Sequence, residues 1–173
     1  WVRQYLSRKQ RRPINTVKTY GADRNKFGHS DQDGIERLWR HVLIGLAAVR
    51  FHRPDAGLGL SGKAQAAIRS VRLMESLVKP WDLTPMAEPL PNSDASGTAY
   101  IAQVSSKPGW VVYLPKGGTV QMEAVPAGAY SLRWIDVEAG MMRDAPAEIQ
   151  SSGSPIRLTA PTPAGNFVAV LLP

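Results

Sequence analysis

The stretch from Gly109 to Gly140, GWVVYLPKGGTVQMEAVPAGAYSLRWIDVEAG, restricts this chain more than any other part of it. Three short apolar runs, Trp110–Leu114, Thr119–Val125 and Tyr130–Val137, are separated by Pro-Lys-Gly-Gly and Pro-Ala-Gly. The runs are rich in Val, Tyr, Trp and Ile, whose branched or aromatic side chains suit a pleated surface. The breaks carry residues that turn a backbone. This pattern predicts strands of an antiparallel meander. In the third run Tyr130, Leu132, Trp134 and Asp136 point one way, and Ser131, Arg133 and Ile135 the other. An apolar face needs a cover, and a second sheet is the expected one. The C-terminal half therefore reads as a β-sandwich of seven or eight strands, beginning near residue 95.

The first ninety residues follow another rhythm. Trp1–Gln10 reads as the end of a helix, with Trp1, Val2, Tyr5 and Leu6 on its apolar side. The chain thus opens inside a helical pattern, so a preceding segment is expected. Pro13–Tyr20 is β-rich and stops at Gly21, as suits a buried strand. Gly21–Gly34 is a polar loop in which Asp31 or Asp33 is placed to cap the next helix. In that helix Ile35, Leu38, Trp39, Val42 and Leu46 form one stripe. Ala47–His52 is a second short strand, ended by Arg53-Pro54. Ser61 caps a further helix whose buried side is Ala64, Ala67, Ile68, Val71, Met74 and Val78, and Pro80 stops it. Both stripes are expected to face the short strands, with Trp81 buried between the helices and the sandwich.

Strand, helix, strand, helix with buried strands is the repeat of a parallel sheet. Two such units do not close a (β/α)8 barrel, which takes eight units and typically about 250 residues. The fold class expected is α+β: an antiparallel β-sandwich over 95–173, preceded through a joint at 81–94 by an incomplete βαβα piece at 1–80.

Composition narrows the function classes. With 173 residues, 43% hydrophobic and 20% charged, the chain has the balance of a globular protein rather than a disordered one. No apolar run approaches the roughly 20 residues that span a bilayer, so no membrane partner is expected. Cysteine is absent, which rules out disulfides and thiolate metal sites. Residues 1–90 hold 16 Lys and Arg against 8 Asp and Glu, whereas residues 91–173 hold 5 against 6. The basic run Arg8-Lys9-Gln10-Arg11-Arg12 reads as a solvated helix end, because no helix-turn-helix, stacking platform or zinc motif accompanies it. No nucleic-acid partner is expected.

The strand run Tyr113-Leu-Pro-Lys-Gly-Gly-Thr-Val, followed by Tyr130-Ser-Leu-Arg-Trp-Ile-Asp and Asn166-Phe-Val-Ala-Val-Leu-Leu, resembles the C-terminal β-sandwich of apiosidase-like glycoside hydrolases. Met74-Glu-Ser-Leu-Val-Lys-Pro-Trp-Asp-Leu-Thr-Pro is similar to the segment joining the catalytic barrel to that sandwich. The resemblance covers about Arg12 to Pro173. It implies that residues 1–80 are the last quarter of a (β/α)8 barrel, that the sandwich is a structural accessory domain, and that the parent protein is exported to the periplasm or beyond the cell. The collagen-binding label such sandwiches carry has no counterpart in these residues. Glycosidases generally work with two carboxyl groups. In the proteins this chain resembles, the seventh strand carries Asn-Gly-Glu-Pro, with a catalytic Glu. The matching residues here are Asn15-Thr16-Val17-Lys18, and Val17 can neither give nor take a proton. Catalysis by this chain alone is not expected, and no catalytic residue is assigned.

Barrel sites lie at the carboxyl ends of the strands. That rule singles out Lys18 and Tyr20 on the first strand and His52 and Arg53 on the second, together with Asn15 from the matched motif, as candidates for binding a carbohydrate. Arg could hold a uronic carboxylate in bidentate fashion; the plainer reading pairs Arg53 with Asp55 and leaves His52 as an ordinary hydrogen-bonding side chain. No metal or cofactor is expected: Asp31-Gln-Asp33-Gly34 lacks the rest of a calcium loop, and His29, His41 and His52 lack metal-ligand spacing. Gly57-Leu-Gly59-Leu-Ser-Gly62 lacks the Walker order of a phosphate loop. Tyr100, Trp110, Tyr113 and Trp134 would serve a glycan- or protein-binding sandwich without catalysis if exposed, but their alternating strands favour core positions. A truncated parallel sheet leaves open edges, so a homodimer through residues 1–60 is expected.

Overall fold

A computed structural model describes residues 13–21, 28–52, 60–86, 88, 90–91, 97–123 and 125–173. The helix expected over Trp1–Gln10, the basic run Arg8–Arg12, and Arg53 lie outside the described residues. Among the described residues the fold is mixed, with two α-helices and mostly antiparallel sheets. Neither helix is long and apolar enough to cross a membrane.

The N-terminal part begins with β1 (Asn15–Thr19), followed by α1 (Asp31–Leu43), β2 (Ala48–Phe51) and α2 (Gly62–Leu77). β1 and β2 pair in parallel, Asn15 opposite Ala48 and Thr19 opposite Phe51, with an irregularity between Thr16 and Thr19. The cap of α1 differs from the expected one. Ser30, not Asp31 or Asp33, is the N-cap; its hydroxyl accepts the Asp33 N–H, and the Asp33 carboxylate accepts the Ser30 N–H. This reciprocal capping box satisfies two of the donors a helix start leaves over, so α1 begins earlier than its apolar stripe does. Ser61 caps α2 by accepting the Ala64 N–H, as the sequence suggests. A 3₁₀ turn at Pro80–Asp82 follows α2.

Nine strands complete the chain: β3 (Leu83–Pro85), β4 (Leu90–Pro91), β5 (Thr98–Val104), β6 (Trp110–Leu114), β7 (Thr119–Met122), β8 (Gly128–Asp136), β9 (Met141–Ser151), β10 (Ile156–Thr159) and β11 (Phe167–Leu172). The three apolar runs do form strands, but not a meander. β11 lies between β6 and β8, antiparallel to both, and β7 leaves to pair with β10 in a separate two-stranded sheet. The order of the large sheet is β3-β5-β6-β11-β8-β9, with β4 sharing the β5 edge. The segment read as a joint thus contributes two short strands. The long outer strand β9 carries Pro146 and a register shift opposite Leu132–Trp134, both of which blunt an edge against further pairing.

The large sheet is covered on both faces. Ala102, Val104, Val111, Tyr113, Ile135, Val137, Val168 and Val170 pack against Ile35, Leu38, Trp39, Val42, Ala64, Ala67 and Met74 of the helices. The alternate residues of the same strands, including Ile101, Trp110, Val112, Leu114, Leu132, Phe167, Ala169 and Leu171, pack under Val120, Met122, Ile156 and Leu158 of the small sheet. This double cover explains why β6 and β11 read as unbroken apolar runs: strands buried on both faces lose the polar half of the alternation. The α1 stripe therefore meets both the short parallel pair and the large sheet, whereas α2 packs against α1 and against β8 and β9.

Trp81 overturns an expectation. Its side chain is 79% exposed. The turn that carries it is fixed instead by Asp82, whose backbone N–H donates to Lys79 O, whose carbonyl accepts from Ser105 N, and whose carboxylate accepts from the Ser106 hydroxyl. Backbone and carboxylate pin the turn, so the indole is free to point outward.

Candidate functional site

Parallel strands bring their carboxyl ends to one side, and Tyr20 and His52 follow β1 and β2 directly. The His52 N–H donates to Thr19 O at 2.9 Å, which carries the ladder one step past the strands and sets the two residues side by side. Their rings stack at 4.9 Å with planes 25° apart. His29 also stacks with Tyr20, at 5.8 Å and 30°. The rim is thus a column of three rings, His52–Tyr20–His29. Arg37, two turns into α1, approaches His29 Nδ1 with Nη2 at 3.2 Å. A guanidinium has only donors, so Nδ1 must accept, and the proton of the neutral imidazole sits on Nε2.

Gly21 makes this column feasible. Its φ is +97°, and a Cβ there would lie 2.4 Å from Ser30 O and 2.5 Å from Gly34 N. Only glycine lets the chain leaving β1 pass that close to the first turn of α1, which brings His29 back over Tyr20. On the strand itself Thr16 shares a 3.3 Å hydrogen bond with His41 Nδ1 of α1. Burial, and then the Arg40 and Arg37 charges, push the His41 pKa below its ordinary 6.5.

Of the five sequence candidates, Tyr20 and His52 come together. Asn15 is exposed at the opposite end of β1, about 16 Å from Tyr20 along an extended strand. Lys18 is exposed on β1. Arg53 lies outside the described residues. Val17, where the resembled proteins carry a carboxylate, is 70% exposed. His29 and Arg37 escaped the sequence reading; the only available signal was that His29 stands just before the cap of the helix following β1.

A second group of polar residues fastens the helices to the large sheet. Asn166, 2% exposed, accepts the Tyr113 hydroxyl (2.7 Å) and Gln32 Nε2 (2.9 Å) on Oδ1, and donates through Nδ2 to Gln32 Oε1 (2.7 Å) and Glu138 Oε1 (2.8 Å). Burial, followed by the nearby Glu36 charge, raises the Tyr113 pKa well above 10, so the phenol stays a donor. Near the other end of α1, Tyr100 donates to Glu36 Oε1 at 2.9 Å, and the Arg40 guanidinium lies 5.0 Å above the Tyr100 ring. Trp110 and Tyr113 are buried, and Tyr100 and Trp134 half-buried. The calcium-like Asp31 and Asp33 are taken up by an ion pair with Lys63 at 3.3 Å and by the capping box.

No family model and no curated protein matches the sequence. Solved structures do. A glycoside hydrolase family 5 protein from Bacteroides vulgatus ATCC 8482 matches at TM-score 0.61 and 10% identity, covering 83% of this chain and 36% of its own. A second structure, described as a glycoside hydrolase, matches at TM-score 0.67 and 10% identity over 99% of this chain and 44% of its own. The likeness is one of fold, to a part of each of these two structures. The chain spans less than half the length of either structure.

Proposed function

We propose that the chain is the C-terminal portion of a glycoside hydrolase-like protein, in which β1-α1-β2-α2 are the last two units of a (β/α)8 barrel and residues 95–173 form a β-sandwich that acts as a structural accessory domain. The observation that carries this reading is the parallel β1–β2 pair with α1 crossing between them, on helices whose far side packs against the antiparallel sheet. The likeness spanning 99% of this chain and 44% of a glycoside hydrolase is consistent with it. On this reading Asn15 and Val17 face the barrel interior, and the His52–Tyr20–His29 column lies on the rim where barrels hold substrates. Rings with polar edges suit a sugar, which offers C–H bonds to a ring face and hydroxyls to its edge. Tyr20 and His52, with Lys18 and Arg53 nearby in sequence, would contact a glycan there, while the acid and base would come from other strands.

The isolated chain then hydrolyses nothing, and its uncovered β1–β2 edges pair two copies through residues 1–60. The resemblance also suggests a parent exported to the periplasm or beyond the cell. The test is turnover of aryl glycosides by the chain alone and by the chain extended with its upstream coding sequence. Silence from the first and activity from the second supports the proposal. Activity from the purified short chain that disappears in Asp31→Asn or Asp33→Asn overturns it. Sugar binding by the short chain, with both forms silent, favours a binding module without catalysis.

A further inference from the structure

The end of α1 remote from the ring column borders a cleft of about 240 Å³. Leu43 and Ile44 from the last turn of α1 and Pro85 and Met86 from the end of β3 form its apolar side. Arg40, Tyr100 and Glu88 form its polar side. None of the residues lining the cleft belongs to the ring group, so it is a separate place on the molecule.

From these groups we infer that the cleft is a binding site for a single neutral sugar ring. Size supplies the first reason. Drug-sized ligands fill about 300–1,000 Å³, and a cleft of about 240 Å³ falls just below, in the range of one ring rather than an oligomer. Charge supplies the second. Arg40 and Glu88 both line the cleft, and Glu36 Oε1 lies 3.8 Å from Arg40 Nη1. Two carboxylates around one guanidinium leave one net negative charge, which repels an anion. A neutral ligand escapes that penalty.

Hydrogen-bonding capacity supplies the third reason. The 3.8 Å ion pair is too long to be a hydrogen bond, so it leaves the fork of Arg40 able to donate to a ligand. The Arg40 side chain is 53% exposed, and its plane is steadied by the Tyr100 ring. Tyr100 is itself held by Glu36, and burial raises its pKa, so the ring does not swing away or ionise near neutral pH. Glu88 accepts only. A ligand that both accepts and donates through adjacent hydroxyls, and presents C–H bonds to Met86 and Ile44, meets all of these groups at once. The inference rests on the residues of the cleft and does not require the chain to belong to a hydrolase.

The test is a titration of the ¹⁵N-labelled chain with xylose, arabinose, glucose, galactose and mannose, and with glucuronate as the anionic control, followed by amide chemical shifts. At least one neutral sugar should give saturable shifts in the millimolar range, centred on Ile44, Met86 and Tyr100. Arg40→Gln and the exposed-site change Glu88→Gln should each weaken binding about tenfold, the loss of a charge-assisted hydrogen bond. Ile44→Phe, which fills the cleft, should abolish it, and Met141→Ala, exposed at the opposite edge of the large sheet, should leave it unchanged. Each variant's own amide spectrum reports its fold. Absence of saturation with every neutral sugar overturns the inference. So does a preference for glucuronate, or shifts at Tyr20 and His52 with none at Ile44, Met86 and Tyr100.

Discussion

The parallel pair β1–β2 and the antiparallel sheet share one helical layer and differ in almost everything else. In the large sheet, β6 and β11 are covered above and below, and their hydrogen bonds run to neighbours on both sides. In the parallel pair, each strand has a single neighbour among the described residues, and Val17 turns an apolar side chain to solvent. Parallel strands occur almost entirely in sheets covered on both faces, and two-stranded sheets are marginal alone. The contrast shows that, among the described residues, one sheet is covered on both faces and the other is not. It also sets an order of stability: backbone amides of β1 and β2 should exchange by local opening, those of β6 and β11 only by global unfolding.

The largest way to break that contrast is to remove what both regions share. Trp39 is fully buried and stacks at 5.8 Å on Tyr113. Trp39→Ala should cost about 3–5 kcal/mol, and chemical denaturation should show both regions losing stability together. A loss confined to β1–β2 amides would mean the helices belong to the parallel pair alone. Asn166→Ala comes next. It strands the buried Tyr113 hydroxyl, at about 1–3 kcal/mol for an unsatisfied group, while half-buried Gln32 keeps Pro115 O as a partner. Urea melts should register it as a drop in midpoint, and α1 amides should exchange faster than those of β6.

Acid should sharpen the contrast. His41, whose pKa is lowered by burial first, favours its neutral form in the folded state. The unfolded chain therefore binds the proton more readily. That stability is complete above 6.5 and is lost as pH falls below it, through the lowered folded value. Asp33, lowered by its hydrogen bonds to Ser30, behaves alike in a more acidic window, below 3.8. Melting temperatures recorded downward from pH 7 should fall first through His41, and His41→Gln should flatten that first step. The smallest effect is Trp81→Ala. With the indole 79% exposed, the change should stay within about ±0.5 kcal/mol, and a larger shift in denaturant melts would show that the side chain has a partner in solution.

Local patterns in the sequence translated well. The stripe Ile35, Leu38, Trp39, Val42 reports one buried helical face, and Ser61 and Pro80 bracket α2. Pairing was another matter. An alternating strand announces its inner face, but Trp110–Leu114 is apolar at every position because both faces are covered, so the run fixes neither its cover nor its neighbours. The meander was the simplest pairing; the structure has β11 entering from fifty residues downstream. Trp81 misled for a similar reason: hydrophobicity predicts burial on average, whereas the turn it occupies is held by Asp82. At the rim, Tyr20 and His52 were legible because parallel strands end together. His29 and Arg37 reach the column through a loop and a helix, and no periodicity encodes that return.

The position of β11 has a consequence for how the protein is made. Every strand that β11 joins is synthesised before it. While residues 167–172 are still inside the ribosome, β6 and β8 have emerged with their inner edges unpaired and two apolar faces half assembled. A nascent chain in this state is a target for chaperones and for edge-to-edge association with its neighbours. The sheet closes in one late event, so a ribosome stalled before Phe167 should hold a protease-sensitive chain, and one stalled far enough beyond Leu172 to release the strand should hold a resistant one.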